Sequence, residues 1–310
     1  MASIRPRAGA SAQRTMRHSA LKMVRADRIA TRLRDNGAQR ASSKRSVRLT
    51  VLSLAFALLA AVGMANPLPT AAAGLKVVIV VGPVGSSTAN YIYNAKRYAA
   101  QARSYGATVV EIYSPNATWG RVRAAAQGAK VLIYLGHGNG SPSPYGPFSQ
   151  YSKDGFGLNA SAGNGNYNTK YYGEYYVRTQ IKLAANAVVI LNRLCYASGN
   201  SEWGSANPTV TTAKQRVDNF AAGFLRANAR AVFAEGITNA SYILYGLFRT
   251  SRTVKAIFYS GPDWNGHYDF LFASSRTPGY QDWMDPSSPG RYYRSVVGYF
   301  GLTAATFRSS

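Results

Sequence analysis

The sequence predicts an α/β protein, a three-layer sandwich with a mostly parallel sheet between helices. Three observations carry this. Apolar, β-branched runs recur at 76–81 (KVVIVV), 107–113 (ATVVEIY), 130–135 (KVLIYL), 187–194 (AVVILNRL) and 230–234 (RAVFA). Unbroken runs of this kind mark strands buried on both faces. Segments with helical spacing separate most of them, and alternating units of this length imply crossover helices on a parallel sheet. Two of the runs stop at a reactive side chain, His137 in one case and Cys195 in the other. Chemistry in open parallel sheets collects at the carboxyl ends of the strands.

The elements follow in order. After the first strand, Gly82-Pro83-Val84-Gly85 turns the chain, and Ser86 or Ser87 can cap a helix to about Tyr105. Tyr91, Ile92, Ala95, Tyr98, Ala99 and Ala102 recur along it at helical spacing, and Gly106 ends it. Asn116 or Thr118 opens a short helix through Ala126 before the third strand, which ends in Gly136-His137-Gly138. Residues 139–172 are dense in Gly, Asn, Ser, Pro and Tyr and read as one long loop over the rim. A helix from Glu174 to Ala185 leads into the fourth strand and Cys195. Thr211 or Thr212 opens a helix to about Asn228, and a long amphipathic helix runs from Asn239 or Ser241 to about Tyr259. The α/β domain spans 74–259, and an aromatic-rich extension, 260–310, packs on it.

Charge divides the chain. Residues 1–48 hold 13 Lys/Arg against Asp27 and Asp35, a surplus of +11, while the remainder carries 23 Lys/Arg and 10 Asp/Glu, a surplus of +13. The basic segment reads as disordered or as preceding the true start. The uncharged run from Leu49 to Met64 and the small residues to Ala73 have the form of a secretory signal, so 49–73 is expected to direct export. The alternative is a single uncleaved N-terminal anchor with the domain outside. The +13 surplus points to an anionic cell-wall or membrane surface as a partner. No basic cluster interleaved with aromatics stands out, which argues against nucleic acid.

Cys195 is the only cysteine, so no internal disulfide can form. A lone thiol in an oxidising compartment is either buried as a small hydrophobe or used. A thiol and an imidazole on neighbouring strand ends have the arrangement a cysteine nucleophile with a separate base needs. His267-x-Asp269 is the one close pair of metal-ligand type, so neither a metal nor a cofactor is expected. Neither a Walker lysine nor a Gly-x-Ser-x-Gly elbow is present.

An apolar strand ending in His-Gly, followed by a later one ending in Cys, resembles the caspase–gingipain–legumain group of cysteine peptidases. The separation from His137 to Cys195 is 58 positions, near the ~50 of caspases. Residues 219–225 and 231–234 also look like the helix and strand that follow the nucleophile in gingipain-like and CHAT-type members. The likeness covers roughly 75–240. It departs at Arg193-Leu194-Cys195-Tyr196, where the caspase box has Gln-Ala before the cysteine. The resemblance implies a peptide or protein substrate, Cys195 as nucleophile, His137 as proton carrier, and the N–H groups of Gly138 and Cys195 as oxyanion donors. Arg193 is placed to lower the thiol pKa or favour an acidic substrate residue, and Asp154, Glu174 or Glu202 to favour a basic one. A second reading keeps the fold without catalysis, as a secreted module holding glycan or cell-wall polymer on Tyr-, Asn- and Trp-rich loops. A third makes the protein a secreted interaction domain with an inert thiol.

Overall fold

A computed structural model of the protein describes residues 74–310. The basic segment 1–48 and the expected export segment 49–73 lie outside the described residues. In chain order the strands are β1 (Lys76–Val81), β2 (Thr108–Tyr113), β3 (Val131–Leu135), β4 (Phe156–Asn159), β5 (Thr169–Tyr172), β6 (Ala187–Asn192), β7 (Ala229–Glu235), β8 (Phe270–Ala273), β9 (Gln281–Met284) and β10 (Arg294–Gly298). The helices are α1 (Thr88–Ser104), α2 (Trp119–Ala126), α3 (Glu174–Gln180), α4 (Val210–Arg226), α5 (Ser241–Arg249), α6 (Val254–Tyr259) and α7 (Ala304–Ser309).

One eight-stranded sheet has the order β2-β1-β3-β6-β7-β10-β9-β8, and β4 and β5 form a separate hairpin. The first five strands are parallel. From β10 onward each strand is antiparallel to its neighbour. Strand alternation divides the apolar residues between two cores. Val77, Ile79, Val81, Ile133 and Ile190 face α1, α5, α6 and α7. Val78, Val80, Leu132, Tyr134 and Val189 face α2, α3, α4 and β4. Each fully buried Val, Ile or Leu contributes about 1.5–3 kcal/mol, and both faces of the central strands are buried in this way.

Several expected elements change. The long loop over 139–172 contains the hairpin β4–β5, whose Phe156 and Leu158 are buried in the core beneath it. The helix at Glu174 ends at Gln180 instead of Ala185, and β6 stops at Asn192, before Leu194. Thr209, upstream of the expected caps, caps α4 by accepting from the Thr212 N–H. The single helix to Tyr259 is two. Thr250 turns its hydroxyl onto the Gly246 carbonyl and accepts from the Arg252 N–H, and Thr253 then caps α6 through the Ala256 N–H. Ser/Thr side chains that bond locally compete with the helix in this way. The 260–310 segment does more than pack on the domain, because its strands continue the same sheet through the β7–β10 pair.

The parallel register aims the site. Leu135 pairs with Asn192 across β3 and β6. The residues that follow, 136–138 and 193–195, leave the sheet side by side at its carboxyl rim.

Candidate active site

His137 is held from below by Tyr134. The Tyr134 hydroxyl, fully buried, lies 3.0 Å from the His137 carbonyl and 2.9 Å from that of Gly157, and accepts from the Gly157 N–H at 2.8 Å. This side chain folds across Gly136, where a Cβ would lie 2.2 Å from the hydroxyl, so only glycine fits. His137 as a residue is partly open at the rim, and the protein around it takes away part of the hydration of its ring.

Cys195 leaves β6 through a tightly bonded turn. Asn192 accepts from the Tyr98 hydroxyl and donates to the carbonyls of Glu235 and Thr238. The Arg193 N–H donates to the Glu235 carbonyl, and the Arg193 carbonyl accepts from Tyr91. Arg193 and Tyr196 have φ of +61° and +71°. Left-handed backbone at two large residues is uncommon, costs of order 1–3 kcal/mol each and persists only where surrounding bonds fix it. These two residues flank the thiol.

The two strand ends touch. A Cβ on Gly138 would lie 1.9 Å from the Cys195 carbonyl oxygen and 3.0 Å from its nitrogen. Glycine is therefore what lets the His137 loop lie against the Cys195 backbone. Neither the Gly138 nor the Cys195 N–H donates a hydrogen bond to any of the described residues.

Two cavities meet at the thiol. One, of about 520 Å³, is lined by His137, Gly138, Asn139, Tyr145, Tyr171, Cys195 and Glu202. The other, of about 480 Å³, includes Tyr91, Arg193, Cys195, Glu202, Trp203 and Arg291. Burial pushes the Cys195 thiol up to about 11, and the Glu202 carboxylate adds to the effect. Lost hydration lowers the His137 imidazole pKa, with Glu202 acting in the opposite direction. At neutral pH the thiol and the imidazole are therefore both uncharged.

Of the residues expected at the site, His137, Gly138, Cys195 and Glu202 share the first cavity, and Arg193 joins Cys195 and Glu202 in the second. Arg193 and Cys195 both lie past the end of β6, in the left-handed turn. Asp154 is a correction. It is fully buried and lines neither cavity; its Oδ1 accepts from the Ser141 N–H while its Oδ2 has no partner among the described residues. Burial pushes its carboxyl up to about 8. The hairpin turns this loop inward, so Asp154 braces the segment after His137. Glu174 is also buried elsewhere, paired with Arg226 and Arg276. Among the described residues no group of three His, Cys, Asp or Glu side chains is arranged to hold a metal.

Sequence reasoning did not single out Tyr91, Tyr145, Tyr171 and Arg291. The density of tyrosine in 139–172 was the one available signal for two of them. Tyr145 hydrogen-bonds Glu202 at 2.7 Å, joining the loop after His137 to the loop after Cys195.

The chain is thus an α/β protein whose parallel strand ends bring one thiol and one imidazole to a common cavity. Comparison with known protein families, curated proteins and solved structures gives no match.

Proposed function

We propose that this protein is an exported cysteine endopeptidase of caspase/gingipain-like type, hydrolysing peptide bonds with Cys195 and His137. The observation that carries the reading is the common cavity of His137, Gly138 and Cys195 at the carboxyl ends of adjacent parallel strands. The order of elements in the main sheet supports it too: three strands, histidine, then past the β4–β5 hairpin and α3 a fourth strand, cysteine, helix, strand.

The resting pair is neutral, so the reaction begins with proton transfer. As substrate fills the cavity, the Sγ proton passes to the imidazole and the sulfur attacks the carbonyl carbon. The oxyanion accepts hydrogen bonds from the free N–H groups of Cys195 and Gly138; losing one such donor costs about 2.7–4 kcal/mol in hydrolases. Glu202 favours the imidazolium that forms. The imidazolium then protonates the leaving amine, the C–N bond breaks and a thioester remains. Water, deprotonated by His137, releases the acid and restores the thiol. General acid–base steps of this kind contribute ~10²–10⁴-fold. The uncharged run Leu49 to Met64 supports export. The +13 surplus supports attachment to an anionic cell-wall or membrane surface.

One observation favours the alternative module for glycan or cell-wall polymer. Trp203, Tyr167 and Tyr145 are 92%, 82% and 60% exposed, and exposed rings of this kind offer stacking surfaces. A fluorogenic peptide library screened against wild type and Cys195→Ala separates the readings. Cleavage by wild type that vanishes in the variant supports the peptidase. Silence from both, with polymer binding unchanged by the substitution, supports the module.

A further inference from the structure

Charge is sorted between the two rims of the sheet. None of the ten Asp and Glu residues among the described residues is exposed. Four of them, Glu202, Glu235, Asp263 and Asp285, lie at the carboxyl rim, tied to Tyr145, Tyr242, Thr238 and Arg294. Cations gather at the amino rim. The helices α1 to α5 each carry an arginine in the last turn: Arg103, Arg123, Arg178, Arg226 and Arg249. The first four helices lead into the amino ends of β2, β3, β6 and β7. The fifth ends with Arg249 over the ring of Tyr105, which follows α1. The helix dipole accounts for a cation at such an end. It does not account for Lys76, Lys182 and Arg252, which reach the same rim from outside the helices.

The chain enters the domain at this rim. The Gly74 N–H donates to the Gly106 carbonyl beside the end of α1, and the Lys76 Nζ donates to the Gln127 carbonyl just past α2. The Gly128 N–H in turn donates to the Lys182 carbonyl. Arg103 pairs with Glu111 and Arg226 with Glu174. Arg123, Lys182, Arg249 and Arg252 are exposed and join no ion pair among the described residues. Unpaired cations within a Debye length of an anionic surface are drawn to it without a shaped pocket. Nine residues, 65–73, separate Gly74 from the uncharged run Leu49 to Met64, at most about 30 Å of extended chain. An apolar run that close to the rim favours lipid over a soluble polymer as the anionic partner. Resting on the reading of an exported domain at an anionic surface, and not on the peptidase, we infer that the amino rim docks on an anionic phospholipid bilayer through Arg123, Lys182, Arg249 and Arg252. The strands put the two rims on the order of 20 Å apart. His137 and Cys195 therefore face away from the lipid, open to peptide.

Vesicle flotation with the full chain tests this, comparing phosphatidylcholine alone with phosphatidylcholine containing phosphatidylglycerol. Association with phosphatidylcholine is the baseline, because the uncharged run can enter any bilayer. Phosphatidylglycerol is expected to raise association, and added salt to reverse the gain. A cation at such a surface contributes about fivefold, so the triple variant Arg123→Gln, Lys182→Gln, Arg252→Gln is expected to lose about a hundredfold. A second triple variant, Lys96→Gln, Arg97→Gln, Lys170→Gln, removes the same charge away from the rim and is expected to lose far less. Lysine acetylation of the wild type, read by mass spectrometry, is expected to slow at Lys182 on the anionic vesicles and to stay unchanged at Lys96 and Lys170. No gain from phosphatidylglycerol, equal losses in the two triple variants, or protection of Lys96 or Lys170 in place of Lys182 overturns the inference. So does capture by soluble polyphosphate in preference to anionic vesicles, which assigns the rim to a polymer. Peptide cleavage is read separately. Cleavage without lipid preference keeps the peptidase and ends the docking, whereas docking without cleavage keeps the rim and ends the peptidase.

Discussion

The parallel half of the sheet and its antiparallel flank are held together by different forces. In β1, β3 and β6 nearly every side chain is apolar and buried, and the strands meet helices on both faces. In the flank, β8 alternates between half-buried and exposed, and charge does the fastening. Arg294 on β10 lies between Glu235, Asp263 and Asp285 and donates to the Phe258 carbonyl. Asp218 on α4 gathers Ser274, Ser275 and Arg276 beside β8. Asp282 on β9 is buried with neither oxygen partnered among the described residues. Burial is non-directional and builds a rigid platform, whereas ion pairs fix one segment in one place. The site uses both: the platform delivers His137 and Cys195, and Arg291, Tyr292 and Tyr293, just ahead of β10, wall the second cavity.

Arg294→Met is expected to break the flank most severely. It leaves Glu235 and Asp285 buried and uncompensated, at about 3–5 kcal/mol by urea denaturation. Ile133→Ala in the parallel half is expected to cost about 2–5 kcal/mol through transfer and cavity terms alone. A loss for Arg294→Met below 1 kcal/mol would erase the distinction drawn between the halves.

Next in size is Gly138→Ala. Its Cβ would force the His137 loop off the Cys195 backbone, and a displacement near 1 Å costs about 10²-fold. We expect that loss in kcat/KM on a cleaved peptide, with the thiol still present by mass spectrometry. Near-wild-type turnover would show that the close approach of the two strand ends is dispensable.

Each half also carries a lone buried carboxyl, Asp154 or Asp282, both pushed up to about 8. The unfolded value is about 4. Between these values the folded protein binds the extra proton, so stability is greatest at the acid end and falls as pH rises through the window. The slope is up to about 1.4 kcal/mol per pH unit for each group. Asp282→Asn should flatten its own share and leave that of Asp154, measured by denaturation between pH 5 and 8.5. An unchanged slope would mean Asp282 has a partner or water access in solution.

The thiol offers a kinetic check. With its pKa near 11, alkylation of Cys195 by iodoacetamide should rise about tenfold per pH unit from 7 to 10, following the thiolate fraction. A plateau near pH 7 would reveal an ion pair with His137. The smallest effect belongs to Leu271→Ala on β8, where the side chain is 46% exposed and the expected change lies within ±0.5 kcal/mol.

Much of the platform was legible because its signals are local. The runs at 76–81, 107–113, 130–135, 187–194 and 230–234 announce strands through composition alone. His137 and Cys195 were legible as strand-end residues. Asp154 was misread because a carboxylate in a Gly-rich loop looks exposed, and nothing nearby in sequence reveals the hairpin that folds over it. The break at Thr250–Thr253 was missed because apolar spacing runs across it while side-chain oxygens redirect the backbone.

The amino-acid order by itself therefore settled that the five apolar runs become strands, which two of them lead into reactive side chains, and that these five lie parallel. Residues within a few positions of one another decide those matters through burial and backbone preference. Tertiary structure alone decided that β10 pairs with β7, that Arg291 comes within one cavity of Arg193, and that Asp154 and Asp282 are enclosed. Each of those depends on segments far apart in sequence meeting in space, and no local pattern encodes such a meeting.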